Sequence, residues 1–151
     1  MKIRSYTAGD WDRVCQIHDA ARRDELAASG LDAAYLNLEQ TAENEGFLEY
    51  AIRVAEVAGR VVGFVAFTDD ELAWLYVDPA AYGQGIGTSL IQAALLEVKA
   101  PMTAEVLDGN HAAIAVYRKA GFEIVGHERG VMPGNEGFRV SVTVLRHPGA
   151  G

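Results

Sequence analysis

The chain is short of cysteine, histidine, positive charge and long apolar runs, and each shortage excludes something. Cys15 is the one cysteine among 151 residues, so no intrachain disulfide can form and nothing calls for an oxidising compartment. It falls within an amphipathic stretch without a His or Asn partner, which reads as packing rather than as a reactive thiol. Lys and Arg number 13 against 21 Asp and Glu, a formal net charge of −8. That balance disfavours nucleic acid as a partner, because phosphate neutralisation by basic side chains supplies most of such affinity. It favours cationic ligands through long-range attraction, and it also serves solubility. His18, His111, His127 and His147 show no metal-ligand spacing, so no metal is expected. No Ser-His-Asp constellation can be assembled on this order. No apolar run approaches the roughly 20 residues of a membrane helix. The N-terminus Met1-Lys2-Ile3-Arg4-Ser5-Tyr6 lacks the apolar core of a signal peptide. These absences lead to an expectation of a cytoplasmic protein with no membrane partner.

What is present is enough chain for one domain with a real core, expected over residues 1–147, followed by a frayed tail over 148–151. Ile3 to Tyr6 reads as a short strand. Thr7 with Asp10 forms a capping-box pattern before a helix carrying Trp11, Val14, Ile17 and Ala21. Arg22 to Phe47 is irregular, with Gly30 and Gly46 as breakers and one further helix expected. Three strand-like runs follow, Tyr50–Val57, Val61–Phe67 and Leu72–Val77. Hairpin-length connections separate them, which predicts an antiparallel meander. Ile86, Leu90, Ala94 and Val98, with Ile91 and Leu95, form a helical stripe that Pro101 ends. A strand over Thr103–Leu107, a helix with Ile114 and Tyr117, and strands over Glu123–Val131 and Phe138–Leu145 complete the order, the last two separated by a loop through Pro133–Gly137. The sum is an α+β fold with a mixed central sheet of about seven strands and about four helices. The unit spanning residues 72–107 is expected to cross over right-handed and pair in parallel.

The turn before the Ile86 helix carries chemistry. Gly83, Gly85 and Gly87 alternate between a strand end and a helix start. Glycine lets main chain approach an anion closely, and the first amides of a helix are unpaired at the positive end of its dipole. The pattern makes a pyrophosphate cradle, with Thr88 and Ser89 as added hydroxyl donors. A tight strand-to-helix connection without a ligand is the plain alternative. A dinucleotide fingerprint needs a glycine where Thr88 stands, and a P-loop needs a lysine that is absent.

Leu75-Tyr76-Val77-Asp78-Pro79 followed by Tyr82-Gly83-Gln84-Gly85-Ile86-Gly87 resembles the acetyl-CoA motif of the GNAT superfamily of N-acetyltransferases. Asn110-His111-Ala112-Ala113-Ile114-Ala115-Val116-Tyr117-Arg118-Lys119-Ala120-Gly121-Phe122 resembles that family's second motif. Both stand in the family's order, and the resemblance implies the GNAT-type fold, acetyl-CoA as co-substrate and an amine acceptor. It implies that main chain at Leu75, Tyr76 and Val77 pairs with the pantetheine arm. It assigns the pyrophosphate to Gly83, Gln84, Gly85, Ile86, Gly87 and Thr88, a further cofactor bond to Asn110, and protonation of the departing thiolate to Tyr117. Tyr82 departs from the family, which usually carries Arg or Gln there.

Asn110 and Tyr117 are two helical turns apart and share a face. A phenol stays protonated at neutral pH and can donate to a thiolate, whereas the plain role of Tyr117 is a core aromatic and that of Asn110 a helix cap. For the base, the resemblance points to Glu71 at the start of the strand leading into the turn. Simple alternation puts it on the face of Ala73, Leu75 and Val77, and its plain role is a solvated hairpin residue beside Asp69 and Asp70. The acceptor pocket is expected from Arg22–Phe47 and Met132–Gly137. Asp24, Glu25, Asp32 and Glu39 suit a cationic small molecule or peptide amine. Two other readings share these residues: an acyl-CoA-sensing module without turnover, and a homodimer pairing through a sheet edge at Phe138–Leu145.

Overall fold

The computed structural model describes residues 1–150; Gly151 of the expected tail lies outside the described residues. Strand β1 (Lys2–Ser5) leads through a 3₁₀ turn into α1 (Trp11–Ala28), and α2 (Leu38–Glu45) follows a second such turn. Then come β2 (Ala51–Val57), β3 (Arg60–Phe67), β4 (Glu71–Val77), α3 (Ile86–Val98), β5 (Met102–Leu107), α4 (His111–Lys119), β6 (Glu123–Met132) and β7 (Asn135–His147). One sheet takes all seven strands in the order β1-β2-β3-β4-β5-β7-β6. Every pairing is antiparallel except β4 with β5. No helix among the described residues is long and apolar enough to cross a membrane.

Helices cover both faces. On one side α3 and α4 bury Ile86, Leu90, Ile91, Ala94, Tyr117 and Phe122 against Val65, Phe67, Leu72, Met102, Ala104 and Leu145. On the other, α1 and α2 close over an aromatic group in which Phe47 meets Phe64 and Trp74 edge-on at 5.7 and 5.2 Å. Each large side chain removed from water contributes about 1.5–3 kcal/mol. At Gly63 an added Cβ would stand 3.1 Å from Tyr76 O and 3.2 Å from Leu90 Cδ1, so the missing side chain lets α3 lie close on the sheet.

Four expectations are corrected. Helix α1 runs on to Ala28, because Arg22, Arg23, Glu25, Leu26, Ala27 and Ala28 are good helix formers and outweigh Asp24. Helix α3 stops at Val98, ahead of Pro101: Lys99 turns left-handed at φ 65° and its N–H bonds Leu95 O. The expected loop before β7 is mostly strand, since Met132 already pairs with Asn135 and leaves Pro133-Gly134 as the turn. Strand β7 lies between β5 and β6 and is not the edge of the sheet: Val142–Leu145 is paired on both sides, and residues 139–141 pair with β6 alone.

Strands β4 and β5 position the site. They pair only at their starts, Glu71 with Thr103 and Leu72 with Ala104, and then diverge. A V-shaped gap opens there in the middle of the sheet.

Candidate active site

On the α3–α4 side of the gap lies a groove of about 580 Å³. Leu75, Tyr76 and Val77 form one wall, Gly83, Gly85, Ile86, Gly87 and Thr88 its end, and Asn110, Ala113 and Val116 of α4 the other wall. The register explains the first wall. Asp78 N–H bonds Val62 O, and pairing alternates from there, so Tyr76 and Trp74 turn their main chain toward β3. Leu75 and Val77 therefore turn their N–H and C=O toward the gap that β5 has left.

At the groove's end Gly83 and Gly85 sit at φ 79° and 76°, with open space where a Cβ would be. Gly85 is the residue before α3, and the first intrahelical bond runs from Ser89 N to Gly85 O. The N–H groups of Ile86, Gly87 and Thr88 thus have no helical acceptor and face outward at the positive helix end. This cradle fits a pyrophosphate through main chain alone. Gln84 is exposed and absent from the lining, and the Ile86 side chain is buried in the core, so both offer their amides only. Tyr82 is half exposed, and its hydroxyl donates to Asp24 Oδ2 at 3.3 Å, tying this loop to α1. Burial and then the Asp24 charge push its phenol up to about 12.

Asn110 caps α4: its Oδ1 accepts from Ala113 N at 3.3 Å. The amide Nδ2 has no protein acceptor among the described residues, and the residue lines the groove, so capping and ligand binding are compatible. Tyr117 is 6% exposed, and its hydroxyl has no protein partner among the described residues. Burial, then the Glu25 charge, pushes its phenol well above the usual range.

Beyond the gap, a second cavity of about 250 Å³ includes Tyr117, Leu75 and Tyr76 in its lining. Glu71 lines it too, but not from the expected face. The register slips between Ala66 and Phe67, so that Leu72 pairs with Phe67 and Trp74 with Ala66. Ala73 bulges out, and alternation restarts. Leu72 packs with α3, whereas Trp74 and Tyr76 pack with α1. Glu71 therefore shares the α1–α2 side instead of the Leu75 and Val77 face. Burial, then Glu105 and Asp70, raises its carboxyl above the ordinary range.

The cavity also gathers Glu45 and Glu105, which the sequence did not single out, beside Glu25, which it did. Glu25 accepts from Tyr76 Oη at 3.1 Å and from Arg22. His18, Arg22 and Glu25 follow i, i+4, i+7 spacing on α1, so one helix face brings them together. Of the four acids expected at the acceptor site, Glu25 lines the cavity, Asp24 lines the groove, and Asp32 and Glu39 line neither. Met132 and Pro133 do contribute, from the tight hairpin turn.

A family model described as an acetyltransferase (GNAT) domain matches residues 43–124. The chain is 39% identical over 66 residues to peptidyl-lysine N-acetyltransferase YjaB of Salmonella typhimurium, covering 43% of this chain and 44% of that protein. This match spans less than half the length of that relative. The crystal structure of a ribosomal-protein-alanine N-acetyltransferase from Brucella melitensis aligns with a TM-score of 0.74 at 26% identity, over 98% of this chain and 99% of that one. A phosphinothricin acetyltransferase from Sinorhizobium meliloti, solved with acetyl-CoA, shares the fold at a TM-score of 0.73 and 20% identity, over 98% and 88% of the two chains. With over half its length matched by the family model and the surrounding architecture shared, the chain belongs to the GNAT acetyltransferase family.

Proposed function

We propose that the protein moves an acetyl group from acetyl-CoA to a primary amine by direct attack in a ternary complex. The observation that carries this reading is the meeting of groove and cavity at the β4–β5 gap, where Glu25, Leu75, Tyr76 and Ala113 line both. Bound acetyl-CoA supplies an acyl carbonyl activated by a thiol leaving group. Amides from Gly83 to Thr88 hold the pyrophosphate, and main chain at Leu75 and Val77 bonds the pantetheine arm as a substitute for the missing stretch of β5. Tyr76 offers the arm neither group, since its main chain is paired with β3 and its side chain is committed to Glu25 and His18, which corrects its expected place beside Leu75 and Val77. Asn110 donates from Nδ2. Exposed N–H groups of β4 polarise the carbonyl without reorganising.

Tyr117 is held neutral by burial, so its hydroxyl donates a hydrogen bond to sulfur as the thiolate develops. Glu71 takes the surplus proton of the attacking ammonium, directly or through water. Its raised carboxyl is closer to the working range of a base at neutral pH than an exposed glutamate would be. The name of the YjaB relative supports including a lysine peptide among candidate acceptors, and that of the Brucella structure an N-terminal alanine.

The test is thiol release from acetyl-CoA across amines, with product mass as confirmation. Release that depends on the amine supports transfer. Tight coenzyme A binding without release on any amine would overturn it in favour of an acyl-CoA-sensing module.

A further inference from the structure

The cavity wall carries Glu25, Glu45, Glu71 and Glu105 among apolar residues. Glu45 enters half-buried from the end of α2, and Glu71 and Glu105, both exposed, enter from the start of β4 and the middle of β5. None forms an ion pair among the described residues. Glu45 is the last residue of α2, so its carboxylate adds to the negative end of the helix dipole. Burial holds the carboxyls of Glu45 and Glu71 above the ordinary range, an effect that the Arg22 charge offsets only in part at Glu45. Arg22 is the one cation of the lining, and its guanidinium is bonded to Glu25. Glu25, Glu45, Glu71 and Glu105 thus share a single guanidinium.

Two further groups point the same way independently of the acids. His18 is 1% exposed and lines this cavity. Its Nδ1 lies 3.0 Å from Asp19 Oδ1, which also accepts Leu38 N–H at 2.8 Å. A carboxylate only accepts, so the proton sits on Nδ1 and Nε2 presents a lone pair. Burial keeps the ring neutral by lowering its pKa. Among the described residues neither Nε2 nor the Tyr117 hydroxyl has a protein partner. Ser29 Oγ alone among the described residues is both sealed off and unpartnered, so these two atoms open onto the cavity.

We propose that the cavity seats a dicationic acceptor, a short α,ω-diamine. One amine reaches the gap beside Tyr117 for acetylation. The second ammonium, with three donors, lies among the lining acceptors, Glu45 foremost. At about 250 Å³ the space is at the small end of ligand pockets, which suits a compact linear amine. The inference rests on the acetyltransfer reading and adds its substrate class.

Three amines of equal length separate the possibilities: 1,4-diaminobutane, n-butylamine and 4-aminobutanoate, which end in a cation, a methyl and an anion. Thiol release should give a kcat/KM at least tenfold higher for the diamine than for butylamine, with 4-aminobutanoate lowest. Glu45→Gln should narrow the diamine-to-butylamine ratio at least fivefold, mainly through the diamine KM. Its melting curve and coenzyme A affinity report that it is folded. Equal rates for the diamine and butylamine, or a uniform loss on both in Glu45→Gln, would overturn the assignment. Preference for 4-aminobutanoate would overturn it too and make Arg22 the group that reads the ligand. Calorimetry of 1,4-diaminobutane on the coenzyme A complex keeps the two readings apart. Binding that Glu45→Gln weakens, without thiol release, sinks acetyl transfer and leaves the cation site standing; no binding sinks the cation site.

Discussion

The two spaces that meet at the β4–β5 gap are built on opposite plans. The groove uses main chain: strand edges at Leu75 and Val77, helix amides from Ile86 to Thr88, and small residues that keep side chains out of the way. The cavity uses side chains from α1, α2, β4, β5 and the β6–β7 turn, with its glutamates and aromatics set among aliphatic residues. Main chain recognises what a whole family shares, a pantetheine and a pyrophosphate. Side chains recognise what differs from member to member. The groove should therefore tolerate changes of side-chain chemistry and fail when its backbone is forced, and the cavity should behave the other way.

Tyr117→Phe, one oxygen removed at the seam, probes the cavity side hardest. Its expected effect is a fall of about 10²-fold in kcat, with coenzyme A affinity within about twofold, measured by steady-state kinetics and calorimetry. Loss of affinity instead of rate would place Tyr117 in the groove. Next is Gly85→Val, which forces a β-branched residue to φ 76°. Strain of about 1–3 kcal/mol is expected, read as a tenfold or greater loss of coenzyme A affinity, although the new side chain meets no neighbour. Unchanged binding would mean that the cradle does not depend on its backbone.

Acid separates the cavity carboxyls from those elsewhere. Hydrogen bonding from Arg4, reinforced by Thr7, holds Asp10 at about 2, below its free value of 3.8. Its stabilising effect is therefore complete above 3.8 and lost as pH falls toward 2. Asp10→Asn should lower stability by about 1–2 kcal/mol at pH 7, once the partly exposed Arg4 is discounted. Glu45 is raised, so its sign is reversed: ionisation in the fold costs stability above the raised value, and the cost vanishes toward 4.5. Glu45→Gln should melt higher than wild type at pH 8, and the difference should close by pH 4.5. A variant that melts lower throughout would show that Glu45 has a protein counter-ion. The smallest effect is expected at Tyr82→Phe. Its bond to Asp24 is 3.3 Å long on a half-exposed side chain, so the loss should be below about 0.5 kcal/mol and coenzyme A affinity should shift less than threefold.

The groove was legible in the sequence because contiguous residues build it. Strand, glycine turn and helix follow one another from Leu75 to Thr88, and helix periodicity ties Asn110 to Tyr117. Local pattern failed in three places. Arg22 to Glu25 fell within a stretch that read as irregular, which hid the α1 face that carries His18 and the cavity's Arg22–Glu25 pair. The bulge at Ala73 moved Glu71 to the other face, and a bulge leaves no mark in a run of strand formers. The position of β7 inside the sheet depended on where the last hairpin inserts, a long-range matter that no local spacing encodes.

By itself, then, the sequence determined the element order, the three-strand meander, the anion-binding turn and the family, because turn chemistry and hydrophobic period act over a few residues. The tertiary structure alone decided where β4 and β5 part, which face Glu71 takes, and that Glu25, Glu45, Glu71 and Glu105 share one space with a neutral His18. Those outcomes depend on strand register and on contacts between segments as far apart as Arg22 and Met132, where no periodic signal survives.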